Sequence, residues 1–199
     1  MDRPDSPARA LHELLAGNER FVCGERVHPH QDAERRAALV GGQRPFAVVF
    51  GCSDSRLAAE IIFDRGLGDL FVVRTAGHIL GPEVLASIEY GVLVLGAPLV
   101  VVLGHDSCGA VRATYDAVAG VAEPHESLRP IVEGIRPSLG DATDADLDEV
   151  SATHVRLTVA QLSSGMEPAI RQGVCAVVGM TYRLAEGRVT VTAASDRGR

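Results

Sequence analysis

The chain has 199 residues, 46% of them hydrophobic, 4% aromatic and 23% charged, with no tryptophan, the make-up of one globular domain rich in aliphatic side chains. Nineteen basic and 26 acidic residues leave a net charge of -7, and no cluster of Lys and Arg is long enough to follow a phosphate backbone, so nucleic acid is not an expected partner. Four cysteines are too few for a disulfide scaffold at this length, which points to metal or catalysis in a reducing, cytoplasmic setting.

The start, "MDRPDSPARA", carries charge and proline where a signal peptide is apolar. Ser6-Pro7 then offers an N-cap with proline in the first turn, and Leu11, Leu14, Leu15 and Phe21 recur near helical spacing, which predicts an amphipathic helix. A second helix is expected over Asp32 to Val40, closed by Gly41-Gly42. Phe46 to Phe50 and Leu70 to Val73 read as buried strands. Pro82 opens a helix through Leu95 with Val84, Leu85, Ile88, Val92 and Leu95 inward, and "PLVVVLGH" (Pro98 to His105) returns as a third strand. Tyr90 to His105 is the longest apolar region, but Gly96 and Pro98 interrupt it and it falls short of the roughly 18 to 20 residues of a membrane span. Gly109 to Ala119 reads as a helix stopped by Gly120. Glu123 to Ser164 reads as two helices with a loop near Gly140-Asp141, the acidic stretch Asp141 to Glu149 being a solvated loop and helix start. Val174 to Tyr182 is a fourth strand, turned through Ala185, Glu186 and Gly187 into "RVTVTA" as a hairpin.

Apolar strands separated by helices predict an α/β fold: a mostly parallel central sheet flanked by helices, with an antiparallel edge strand at the C-terminus and an N-terminal helical arm. The chain reads as a single domain over 1–199, with the arm over 1–44 and the α/β core over 45–199.

Two strands end alike. "AVVFG" runs into Cys52, and "LVVVLG" runs into His105, with Cys108 three residues later at the start of a helix. Ligands gather outside the carboxyl ends of strands in open parallel sheets, so these residues are aimed at one crevice. Two thiolates and an imidazole suit tetrahedral zinc, and three protein ligands leave a position for water or substrate, the mark of a catalytic site. A strand-end cysteine alone is more often a small buried hydrophobe, and an Asp-x-Arg pair alone an exposed ion pair; their joint occurrence favours the metal.

"CSDSR", "FVVRTAG" and "HDSCG" together strongly resemble the β-class carbonic anhydrases, with "RTAGH" (Arg74 to His78) closest to the actinobacterial members. The resemblance covers nearly the whole chain. It implies one zinc per chain held by Cys52, His105 and Cys108, Asp54 paired with Arg56, and reversible hydration of carbon dioxide to bicarbonate and a proton. Zinc lowers the pKa of bound water toward ~7, but two thiolates cancel the metal's formal charge and weaken that effect. Asp54 then fits as the acceptor that aligns the nucleophile, and Arg56 as the bidentate partner that orients Asp54.

The resemblance further implies a substrate pocket of Gln43, Phe71 and Tyr90, with Ala76 where many relatives have valine. The N–H of Gly109, near a helix start, is a candidate for holding bicarbonate. Some relatives close the site by making the counterpart of Asp54 a fourth ligand and reopen it at higher pH, when the arginine captures the carboxylate, and the same pH-dependent switch is expected here, with Asp54 the fourth ligand of the closed state and Arg56 its captor in the open one. A bicarbonate-bound variant of that switch uses a tryptophan at the position of Val49; Arg74 and Tyr182 match other residues of its pocket. In this family the sites lie at a dimer interface, which implies a dimer or tetramer with the N-terminal helices wrapping the partner. His78 stands where many relatives have asparagine, so that it either tunes the site or faces solvent. His12, His28, His30, His125 and His154 are scattered in polar surroundings and need no function, although one of them is a candidate proton shuttle. Cys23 and Cys175 read as buried hydrophobes. The alternatives are a carbon disulfide or carbonyl sulfide hydrolase on the same zinc residues, or a zinc-binding regulatory module without catalysis; a thiol redox protein would prefer Cys-x-x-Cys, which is absent.

Overall fold

A computed structural model of the chain describes residues 3–140 and 145–195. Five strands form one sheet in the order β2-β1-β3-β4-β5: β1 (Ala47–Cys52), β2 (Leu70–Thr75), β3 (Leu99–His105), β4 (Ala176–Arg183) and β5 (Arg188–Ala194). β2, β1, β3 and β4 run parallel, and β5 returns antiparallel along β4, as expected. The central strands β1 and β3 are buried at every position because both faces are covered. β2 is an edge and is only half-buried beyond Leu70.

Alternation along the strands divides the core. Val49, Val101, Leu103 and Met180 face one layer with Leu14 of α1 (Pro7–Cys23), Ile62 of α3 (Ala59–Ile62), Val111 of α5 (Gly109–Val118) and Ile135 of α6 (Arg129–Ile135). Val48, Phe50, Val100, Val102 and Val177 face the other with Ile88 of α4 (Pro82–Glu89) and Val155, Val159 and Leu162 of α7 (Leu147–Gly165). Ser6 caps α1 as predicted, its hydroxyl accepting the Arg9 N–H, and Gly24 closes the helix at φ 74°. Asp32 caps α2 (Ala33–Ala38), which stops short of the expected Val40 and buries no side chain.

α1 packs on its own chain, with Ala10 and Leu14 fully buried. Two local expectations change. The helix opened by Pro82 widens into a π turn over Tyr90–Val94, where Gly91 lies so close to β1 that a Cβ would fall 2.5 Å from Val48 Cγ2. A further short helix, α8 (Glu167–Arg171), precedes β4. The expected loop at Gly140-Asp141 and the acidic stretch from Asp141 lie partly outside the described residues; Asp146 caps α7 where that stretch re-enters. No helix is long and apolar enough to cross a membrane among the described residues.

Candidate metal centre

β1 and β3 are neighbours in the register Gly51↔Leu103, so Cys52 and His105 leave adjacent strands at nearly the same level. Cys108 follows three residues on as the N-cap residue of α5. One ligating atom from each of Cys52, His105 and Cys108 lies within 4.8 Å of the others, and all three residues are buried. The loop between His105 and Cys108 is pinned from outside: the Ser107 N–H, at φ 51°, donates to Asp148 of α7 at 3.2 Å, and the Asp106 carboxylate accepts the Leu184 N–H at 2.9 Å.

Three observations fit this trio to a divalent cation. His105 Nδ1 donates to the Asp106 carbonyl at 2.7 Å, which leaves a lone pair on Nε2, and that buried Nε2 has no hydrogen-bond partner. The Cys52 sulfur accepts the Gly77 N–H at 3.3 Å. The Cys52 thiol is pulled down to about 4, chiefly by the hydrogen bond from Cys108 and in spite of burial, while the same contact and burial push Cys108 up. Two adjacent thiolates repel, and a cation between them is the charge that lets both ionise.

Asp54 sits beside the trio, its Oδ2 4.0 Å from His105 Nε2. Arg56 holds it as a fork: Nε to Oδ1 at 2.9 Å, Nη2 to Oδ2 at 2.7 Å, and the Arg56 backbone N–H to Oδ1 at 2.9 Å. These bonds, Arg56's first among them, hold the Asp54 carboxyl well below the usual carboxylate range. The carboxylate is therefore engaged by Arg56, the arrangement that the family resemblance associates with an open site.

Other candidates fall elsewhere. Phe71 pairs with Val48 and Thr75 with Cys52, so Phe71 lies about 13 Å along the sheet from the metal-binding end. Tyr90 packs near it, ring centroids 6.1 Å apart, and exposed Gln43 precedes the start of β1. One chain therefore does not bring Gln43, Phe71 and Tyr90 to its own Cys52. Exposed Ala76 and the first amide of α5, at Gly109, do lie at the metal-binding end.

Arg74 reaches across from β2 to the carbonyls of Cys52 and Asp54, a role its position in the sequence does not reveal. Val49 and Tyr182 belong to the core. Cys175 is buried as expected, its thiol pushed up to about 11 by that burial. Cys23 is a correction: it ends α1 on the exposed side, beside Glu19. His154 is another, because it is buried and hydrogen-bonded at both ring nitrogens, and His78 is buried as well.

The carbonic anhydrase family model matches residues 47–189. The chain is 54% identical over 190 residues to a carbonic anhydrase of Mycolicibacterium smegmatis, covering 92% of each. It is 51% identical over 192 residues to carbonic anhydrase 2 of Mycobacterium tuberculosis, covering 94% of this chain and 93% of that one. Among solved structures, a tetrameric β-carbonic anhydrase of Sordaria macrospora superposes with a TM-score of 0.72 at 23% identity, over 94% of this chain and 100% of that one. A Coccomyxa β-carbonic anhydrase in complex with acetazolamide gives 0.68 at 19% identity, over 92% and 82%.

Proposed function

This chain belongs to the β-carbonic anhydrase family, and we propose that it interconverts carbon dioxide and bicarbonate with a zinc ion held by Cys52, His105 and Cys108. The observation that carries the reading is the buried trio with an orphaned His105 Nε2 and a forked Asp54–Arg56 pair at its edge. Two thiolates and an imidazole suit zinc above harder cations. Zinc bound there would acidify the water it takes up, supplying the nucleophile near neutral pH.

The remaining work falls to the chain's own groups. Asp54 accepts the hydrogen bond of the attacking water and turns its lone pair toward carbon dioxide. Arg56 keeps Asp54 ionised and fixed, so that it stays an acceptor throughout the cycle. The α5 amide at Gly109 faces the negative charge that appears as bicarbonate forms. The released proton leaves to solvent.

Gln43, Phe71 and Tyr90 we assign to the substrate cleft of a second copy. The support is their distance from the chain's own Cys52 and the exposed apolar face that Tyr90 shares with Leu93 and Val94. The enzyme then works as a dimer or a tetramer, each chain over 1–199 acting as one catalytic domain. Four free cysteines suit a reducing compartment, and we place the protein in the cytoplasm.

Stopped-flow carbon dioxide hydration by zinc-loaded protein from about pH 6.5 to 9 tests this reading. Activity should rise with pH, and Asp54→Asn should lower it about 100-fold while zinc stays bound. No activity at any pH, with one zinc still bound per chain, would refute carbon dioxide as substrate and direct the search to carbon disulfide and carbonyl sulfide.

A further inference from the structure

Three buried hydrogen bonds run in series to the Cys52 sulfur. Ser138 Oγ lies 3.0 Å from His154 Nδ1, His154 Nε2 lies 2.9 Å from the Gly77 carbonyl oxygen, and the Gly77 N–H donates to Cys52 Sγ at 3.3 Å. A carbonyl only accepts, so His154 Nε2 carries the proton and its Nδ1 accepts the Ser138 hydroxyl. Burial holds the imidazole neutral, as that tautomer requires.

We propose that His154 is a positioning residue of the metal centre: by holding the Gly77 carbonyl it fixes the Gly77 N–H on the Cys52 sulfur, and so sets the place and the charge of that ligand. The inference rests on Cys52 being a metal ligand.

Gly77 makes the relay necessary. Its carbonyl and its N–H flank a single Cα, so only one φ and one ψ stand between the imidazole and the sulfur. A glycine alone rotates freely about both. No other residue fits, because φ is 65° and a Cβ would lie 2.6 Å from Ile135 Cδ1 and 2.9 Å from the Ala110 Cβ. The following residue, His78, also takes a left-handed φ, 42°, a conformation that persists in a non-glycine residue only when its surroundings over-determine it. His154 supplies that determination twice, through the hydrogen bond to Gly77 and by ring contact with His78 at 4.3 Å between centroids. An N–H aimed at a thiolate draws charge from the sulfur, so a site with two thiolates keeps more of its metal's acidifying power.

Cobalt(II) reports both ligand placement and sulfur charge. The full-length protein is loaded with cobalt(II) and compared with His154→Leu, His154→Gln and Ser138→Ala. His154→Leu should bind cobalt(II) about 10-fold more weakly in chelator competition. Its sulfur-to-cobalt charge-transfer band should move to longer wavelength, since a thiolate without its N–H donor gives up an electron more readily. His154→Gln, whose amide can donate to Gly77 and accept from Ser138, should restore the band and bring affinity within about twofold of wild type. Ser138→Ala, one step further out and a milder change, should weaken binding about threefold in the same direction. A purely structural role would lower the melting temperature and leave the band in place. Should His154→Leu not fold, the other two variants decide. An unmoved band and unchanged affinity in Ser138→Ala, or in a folded His154→Leu, overturns the proposal. Failure of the wild type to bind cobalt(II) at all overturns the metal-centre reading beneath it.

Discussion

Arg74 directs its guanidinium at backbone: Nε donates to the Cys52 carbonyl at 2.9 Å and Nη2 to that of Asp54, so one side chain from β2 clamps both ends of the Cys-Ser-Asp turn. Arg74→Met removes both donors from a partly exposed site where water can replace them, so stability should fall by only about 1–2 kcal/mol. The looser turn misplaces Asp54, and kcat/KM for carbon dioxide should fall about 10-fold, checked by stopped flow at measured zinc occupancy. The meeting of Cys52, His105 and Cys108, with the Asp54–Arg56 pair beside them, is legible in the sequence because these residues cluster after apolar runs that read as strands. Arg74, Gly77 and His154 are not, because their partners are distant in the chain and meet only in the fold. Cys23 misleads for a different reason: it continues an apolar helical pattern, but at the last residue of α1, where the helix has left the core.

Asp64, in the turn after α3, ties three elements. Its carboxylate, 1% exposed, accepts Arg20 Nε of α1 at 2.7 Å and the N–H groups of Val27 and His28 at 3.1 and 3.0 Å. Burial opposes its ionisation, but Arg20 and the two N–H groups outweigh burial and hold its pKa below the usual value. A carboxylate depressed in the folded state contributes stability above its unfolded pKa, about 3.9, and loses it as pH falls through the lower folded value. Asp64→Asn should therefore cost about 2 kcal/mol at pH 7. Urea unfolding should show the gap between variant and wild type narrowing below about pH 4; a gap constant with pH would mean that the charge on Asp64 contributes nothing. Elements with long apolar runs or clear caps, such as β1, β3 and α1, are readable from sequence. α3 and α8, with four and five residues, are too short to show a period.

At the scale of the molecule, one chain is an incomplete enzyme in this reading, because its substrate-cleft residues stand at the wrong end of the sheet for its own ligands. In the same reading, Leu93 and Val94 beside Tyr90, 67% and 65% exposed, are the face proposed for the second copy. Replacing both with glutamate should give a monomer by sedimentation, with carbon dioxide hydration lowered at least about 10-fold; a monomer with full activity contradicts the shared cleft. The α/β architecture is legible in the sequence, since buried parallel strands separated by helices allow few other arrangements. The packing of α1 on its own chain is not, because an apolar stripe does not say whose core it joins. The strand order has a consequence for metal binding. β1 and β3 are adjacent in the sheet, but an edge strand and α4 intervene in the chain, and that whole crossover must close before any ligand set exists. The three-ligand set is therefore a product of the fold, and a metal that needs all three finds them only where β1 and β3 have paired, so its binding would add to the stability of that paired state.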